Sequence, residues 1–139
     1  MRFSKLLSAA FLVFTLSSCM VRDYEDFGDG YCWCDGRIHH ESANNKVIVN
    51  THSSNHNYNS TYIVAEQIPN ERYFESDLDV YYAPEIRDSV RREFEKEKAM
   101  GVCYWIINKK THQVYGPLTK EDYVHKRDSL KVKLWLWLD

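Results

Sequence analysis

The chain has 139 residues, of which 18 are lysine or arginine and 20 are aspartate or glutamate, so its formal net charge is −2 at pH 7. This mild acidity argues against nucleic acid as a partner, because binding a phosphate backbone requires a basic surface. The length suits one domain with a single core. Aromatic residues make up 14% of the chain and favour a β-rich domain, since such side chains suit half-buried strands.

The N-terminal residues have the layout of a secretory signal peptide. Arg2 and Lys5 precede an apolar run over residues 6–16, and small residues then lead to Cys19. A helix of this length reaches only about 16 Å, whereas a spanning helix must cross roughly 30 Å of hydrocarbon. The run is therefore predicted to be an export segment rather than a permanent anchor.

The tetrapeptide Leu16-Ser17-Ser18-Cys19 resembles the lipobox of bacterial lipoproteins, which is cleaved by the signal peptidase II type of enzyme. The resemblance implies that residues 1–18 are removed and that the Cys19 sulfur carries a diacylglycerol. Acylation of the new N-terminus, with palmitate for example, would add a third chain, and two chains already anchor a protein stably. The alternative is an ordinary cleaved signal that leaves Cys19 free or in a disulfide.

The residues after the cysteine indicate where the anchor would hold the protein. Met20 stands where many lipoproteins retained at the inner membrane have aspartate, and this implies the outer membrane, on its periplasmic or surface face. Residues 19–30 are predicted to be the lipidated cysteine and an acidic tether, followed by a single domain over residues 31–139. The acidic residues resemble an export tag of surface-displayed lipoproteins, and a plain solvated tether is the alternative. The mature chain would carry 16 basic and 20 acidic residues, a net charge of −4.

The first half of the domain is predicted to consist mainly of strands. Residues 30–40 alternate as one strand, which pairs with residues 46–50 in a hairpin. Residues 51–61 contain no aliphatic side chain and are predicted to be a polar surface loop. Residues 61–68 are predicted to form a further strand. Residues 70–79 are charged and predicted to be irregular, and the sequence DVYYA that follows is predicted to be extended.

The second half is predicted to hold two helices and a hairpin. Pro84 suits the first turn of a helix over residues 85–99, whose apolar residues recur every four positions, and Gly101 suits its end. The sequences VCYWIIN and QVYGPL are predicted to be strands joined by the turn KKTH. Thr119 is the expected N-cap of a helix over residues 120–130, with Asp122 in the position of its reciprocal partner.

Residues 131–138 alternate apolar and other residues with the period of a strand. Together with the preceding elements they predict an α+β fold, in which an antiparallel sheet of five to seven strands carries two helices in a single small domain. Residues 104–130 also resemble a small family of bacterial lipoproteins and exported proteins of unknown function. Its members share a Tyr/Trp-rich strand, a lysine-bearing turn, a Y-G-P-L step and an acidic-started helix. This resemblance implies no activity.

Three cysteines remain if Cys19 is lipidated. A disulfide from Cys32 or Cys34 to Cys103 is permitted outside the cytoplasm, and the alternative is that all three are small core residues. A bridge between Cys32 and Cys34 would distort the strand that carries both. The C-x-C spacing and the absence of a second paired motif argue against a zinc site with His39 or His40. No metal or other cofactor is expected.

The tryptophans offer the clearest functional hypothesis. Trp135 and Trp137 share one face of the predicted terminal strand beside lysines, and together with Trp33 they are candidate ligand-binding aromatics. Trp33 and Trp105 are expected to lie in the core, whereas both locations stay open for Trp135 and Trp137.

These residues predict a non-enzymatic, lipid-anchored binding domain whose partner is an unidentified protein or glycan. A glycan-binding module that uses exposed Trp and Tyr side chains is the alternative. An enzyme with Cys103 as nucleophile and a histidine base is the third hypothesis. It is disfavoured because a thiol within a buried strand is inert.

Overall fold

The computed structural model describes residues 23–43, 46–50 and 53–137, so the predicted signal peptide and Cys19 lie outside the described residues. The fold is α+β, as predicted, and forms a single small domain. Its described part contains two four-stranded antiparallel sheets and three α-helices, where one sheet and two helices were expected. No helix in this part of the chain combines the length and the apolar character that crossing a bilayer requires.

The first sheet has the strand order β1-β2-β3-β4 and is a simple meander. Its strands are β1 (Tyr24–Gly28), β2 (Tyr31–Cys34), β3 (Arg37–His40) and β4 (Lys46–Val49).

Two Asp-Gly turns explain why the predictions for residues 24–40 need correction. In each turn, Asp29-Gly30 and Asp35-Gly36, both residues have positive φ, which is the type I′ geometry of two-residue hairpins. The second turn splits the strand predicted over residues 30–40 into β2 and β3. Residues 24–28, assigned to the tether, pair with β2 instead, because the first turn folds them back onto the sheet.

The second sheet has the order β5-β6-β7-β8 and lies in the middle of the domain. Its strands are β5 (Asn55–Tyr58), β6 (Tyr62–Gln67), β7 (Cys103–Asn108) and β8 (Val114–Leu118). One face packs on the first sheet, and the opposite face packs on the C-terminal helix and the residues that follow it. The central strands β6 and β7 are consequently buried on both sides, whereas β5 occupies residues that were predicted to be a loop.

The helices are α1 (Glu71–Tyr81), α2 (Arg87–Met100) and α3 (Lys120–Ser129), with a short 3₁₀ turn Pro84–Ile86 before α2. The predictions of α2, α3 and the β7-β8 hairpin are confirmed. The Thr119 hydroxyl accepts a hydrogen bond from the Asp122 backbone N–H at 3.1 Å and caps α3 as expected.

The prediction that residues 70–79 are irregular is wrong, because most of them belong to helix α1. Its N-cap is Asn70, whose side chain accepts from the Tyr73 backbone N–H. Phe74 and Leu78, four residues apart, are buried, and the Phe74 ring stacks on Phe94 of α2 at 3.9 Å between centroids. These two buried apolar residues, together with ion pairs from the acidic residues of the helix to neighbouring elements, dock this highly charged helix.

The C-terminal segment, residues 131–137, keeps the predicted alternation but is no strand of either sheet. Val132, Leu134 and Leu136 are buried against the outer face of the second sheet, and the intervening residues are exposed. Within the described part of the chain, this segment has no strand ladder to a neighbour. The alternation of the predicted strand is therefore present in the structure, whereas the prediction that this segment pairs within a sheet is wrong.

Candidate aromatic binding face

Asparagine side chains of β5 hold the C-terminal segment in place. The Asn55 amide donates to the Trp137 carbonyl at 2.7 Å and accepts from the Trp137 backbone N–H at 3.1 Å. The Asn57 amide donates to the Trp135 carbonyl at 3.2 Å. Because alternate residues of a strand point to the same side, these two amides replace the backbone groups of a neighbouring strand.

This arrangement presents two indole rings side by side to solvent. The Trp135 side chain is 69% exposed and the Trp137 side chain is 89% exposed. They line a shallow cavity of about 320 Å³ together with Asn57 and Leu136. We call Trp135 and Trp137 the aromatic face. No tyrosine lines this cavity, and the location that the sequence left open for Trp135 and Trp137 is the surface.

Arg127 of α3 supports one of the two indoles. Its guanidinium carbon lies 4.4 Å from the centroid of the Trp135 ring and 5.6 Å from that of Tyr123, and the arginine side chain is itself buried. Asp128 lies within 3.4 Å of the same guanidinium. Cation–π contacts at partly desolvated sites contribute on the order of 1–2 kcal/mol, so Arg127 restricts the orientation of the Trp135 ring.

Positive charge flanks the aromatic face along the same edge. Lys131 and Lys133 are exposed and, like the tryptophans, occupy the odd positions of the segment. Lys133 therefore lies on the same exposed side as the two indoles, whereas Lys131 lies in the turn after α3 and has a positive φ.

The other two tryptophans have different roles. Trp105 is buried, and its indole N–H donates to the Gln67 side-chain oxygen at 2.8 Å. Trp33 is half-buried; its N–H donates to the Ser53 carbonyl and its ring lies near His56. Trp33 lines a separate cavity and is not part of the aromatic face. The expectation that Trp105 is a core residue is confirmed, and Trp33 is intermediate.

All three described cysteines are free. Cys103 is buried with its Sγ 3.5 Å from the Glu97 carbonyl, whereas Cys34 lies beside Asp35. Burial raises the pKa of the Cys32 thiol to about 12 and that of Cys103 to about 11, so both are protonated at neutral pH and poorly nucleophilic. The disulfides considered from the sequence are not formed in this structure.

The Cys103 thiol contacts backbone carbonyls, those of Glu97 at 3.5 Å and Gly101 at 3.6 Å. The His112 Nδ1 lies 2.8 Å from the Tyr31 hydroxyl, and the His112 ring stacks near that of His40. His125 is exposed on α3. The described residues also contain no group of three or more His, Cys, Asp or Glu side chains that could hold a metal ion.

The sequence pattern identified the two indoles but missed the residues that position them. Asn55 and Asn57 lie in the stretch that was predicted to be a loop, and Arg127 looked like ordinary surface charge. The N-x-N spacing could have indicated two amides on one side of a strand, had that stretch been recognised as extended.

Comparison with known protein families places most of this domain in one group. A family model described as a protein of unknown function (DUF3997) matches residues 33–138, which include the aromatic face and the stretch 104–130 that resembles exported bacterial proteins. No curated protein and no solved structure matches the chain. Because the matched range covers well over half of its length, this chain belongs to the DUF3997 family of proteins of unknown function.

Proposed function

We propose that this protein is a lipid-anchored, non-enzymatic binding protein of the bacterial cell envelope, which contacts its partner through the aromatic face. One observation carries the proposal: hydrogen bonds to Asn55 and Asn57 hold the backbone at Trp135 and Trp137, and yet both indoles are largely exposed. Binding surfaces combine these two properties, because a ligand then pays little to order the contact residues.

The exposure of the indoles is large for a domain of this size. A tryptophan can bury roughly 150–250 Å², so the pair leaves on the order of 300 Å² of largely apolar surface, comparable to the largest patch on many monomers. The exposed rings are not required to dock the C-terminal segment, because its buried residues already pack against the second sheet. Tryptophan is also enriched among residues that dominate binding energy at interfaces.

Carbohydrate is the ligand class that the neighbouring groups favour. Indole faces stack on the apolar faces of sugar rings, and the Asn57 amide, which donates one N–H to the Trp135 carbonyl, has a second N–H for a hydroxyl group. Lys133 on the same side, with exposed Lys131 two residues before it, would favour glycans with carboxylate, phosphate or sulfate groups. A protein partner is the other class, and it would use the same indoles as anchors.

A glycan array probed with the full chain in detergent tests this function. The wild type is expected to bind a subset of glycans, and a double substitution, Trp135→Ala with Trp137→Ala, is expected to lose that signal at least tenfold. Tyr73→Ala is the matched control, because Tyr73 is an exposed aromatic residue on α1, at 53% exposure. If the double variant keeps the binding of the wild type, the aromatic face is not the contact surface.

The proposed anchor is the Cys19 sulfur, at the outer membrane with the domain on its periplasmic or surface side. The support is the lipobox-like sequence that follows an export segment. Cells grown with a palmitate analogue are expected to label the wild type and to leave Cys19→Ala unlabelled. Equal labelling of both proteins would contradict the anchor without bearing on the aromatic face.

A further inference from the structure

A second concave site lies between the first sheet and helix α2. It is a cleft of about 490 Å³, within the range of small-molecule sites. We call it the sheet-helix cleft. Ile48 on β4 and Val90 on α2 contribute apolar walls, and the Tyr82 hydroxyl donates to the Asn50 side chain at one end. None of its lining residues belongs to the aromatic face.

A nearly buried carboxyl group lines this cleft. The Glu97 side chain is only 5% exposed, and its Oε2 accepts from the Gln67 side-chain N–H at 2.9 Å. The oxygen of the same Gln67 amide accepts from the Trp105 indole N–H at 2.8 Å. This chain of hydrogen bonds runs from the core to the cleft and fixes the orientation of the carboxyl group.

The carboxyl group has no cationic partner within the described part of the chain. No lysine, arginine or histidine there forms an ion pair with Glu97, although buried carboxylates are usually paired. Burial, together with the nearby Glu93 charge, raises the pKa of the Glu97 carboxyl, as expected for an uncompensated acid. Glu93, one turn away on α2, also lines the cleft and pairs with Lys96, while Lys46 lies across the cleft.

From this geometry we infer that the sheet-helix cleft binds a small organic ammonium compound, with the charged nitrogen at Glu97 and an apolar body between Ile48 and Val90. The apolar walls and the size of the cleft suit such a molecule better than a hydrated metal ion. Glu93 already has Lys96 as its partner, whereas Glu97 has no ion-pair partner among the described residues and is therefore the group that a cation would neutralise. The Tyr82 ring supplies an additional surface for cation–π contact.

Three probes of matched shape test the inference with the full chain in detergent. Isothermal titration calorimetry is expected to show saturable binding of 2-phenylethylamine, with 2-phenylethanol and 3-phenylpropionate binding at least tenfold more weakly. If the neutral alcohol binds as tightly as the amine, or if the amine does not saturate, the inference is overturned.

Variants locate the binding at the cleft. Glu97→Gln keeps an acceptor for Gln67 and is expected to weaken amine binding at least tenfold, whereas Glu95→Gln, an exposed change on the same helix, is expected to leave it unchanged. Ile86→Trp retains the carboxyl group but places a bulky ring at the partly exposed rim, and it is expected to block the amine. Wild-type affinity in both Glu97→Gln and Ile86→Trp would overturn the site. A thermal melt of each variant distinguishes a specific loss of binding from misfolding.

Discussion

Strand β7 and the C-terminal segment carry similar tryptophan-containing patterns but end in different environments. β7 pairs with β6 and β8, is buried on both faces, and uses Trp105 as a core residue whose N–H is satisfied by Gln67. The C-terminal segment buries only its even positions, makes its contacts to β5 through asparagine side chains, and leaves both of its indoles outside.

The difference shows how neighbours decide the role of a tryptophan. A strand between two others in a middle layer has no free side, so its large side chains fill the core. A segment docked on one face keeps the other side free, and the aromatic residues there contribute little to folding. The comparison predicts opposite consequences for mutations in the two regions.

The largest expected effect is in β7. Trp105→Ala should lower the free energy of unfolding by about 3–5 kcal/mol, because it creates a cavity and leaves the Gln67 oxygen without its donor. Trp137→Ala should change the same quantity by less than about 0.5 kcal/mol, since the ring is mostly in water. Urea denaturation of both variants measures the contrast. Equal losses would break the distinction between the two regions.

Gly116→Ala is the next largest expected change. A Cβ at this position would lie 2.4 Å from the Trp105 ring, and overpacking of this kind costs about 1–3 kcal/mol. Gly101→Ala is the control, because Gly101 also has positive φ but a Cβ there would have no neighbouring atom within 4 Å. A larger loss for Gly116→Ala in thermal unfolding is expected. A loss no greater than that of the control would show that the core around Trp105 is loosely packed.

Removal of Asn55 should loosen the C-terminal segment while leaving the sheets intact. Asn55→Ala deletes two hydrogen bonds to Trp137, each contributing about 1 kcal/mol. Hydrogen exchange of the Trp137 backbone amide should therefore accelerate about tenfold or more. His125→Ala, on the exposed side of α3, should leave this rate unchanged. An unaltered rate in Asn55→Ala would mean that the buried leucines alone fix the segment.

The smallest expected effect is a pH dependence at Glu97. Because burial raises the pKa of this carboxyl in the folded state, its contribution to stability is fully present below the ordinary pKa of 4.5 and is lost as pH rises through the folded-state pKa. Glu97→Gln does not titrate, so its stability relative to wild type should increase between about pH 4 and about pH 7. Urea midpoints at both pH values measure this change, and a relative decrease would contradict the sign.

Sequence patterns predicted those parts of the fold that depend on local signals. Thr119 with Asp122 marked a helix start, and the apolar alternation of residues 131–137 marked which side chains are buried. The Asp-Gly turn at residues 35–36 was also a local signal and was overlooked within a run that alternates across it. Helix α1 was missed because Phe74 and Leu78 are its only buried residues and charged residues surround them.

The pairing of distant segments could not be inferred from local signals. Nothing in the sequence around Asn55 indicates that its amide meets Trp137, since that contact depends on how β5 and α3 pack in three dimensions. The same holds for Arg127 over Trp135 and for Gln67 between Trp105 and Glu97. The exposure of the two indoles was therefore undecidable from the sequence, although their shared face was not.

The central claim is that the aromatic face, and not the buried tryptophans, contacts the ligand. The most direct test follows the four indole N–H signals by NMR in the full chain, while the strongest-binding glycan from the array is added. The signals of Trp135 and Trp137 should shift in a saturable manner, and that of Trp105 should stay in place. Saturable binding that leaves the Trp135 and Trp137 signals unshifted would contradict the account.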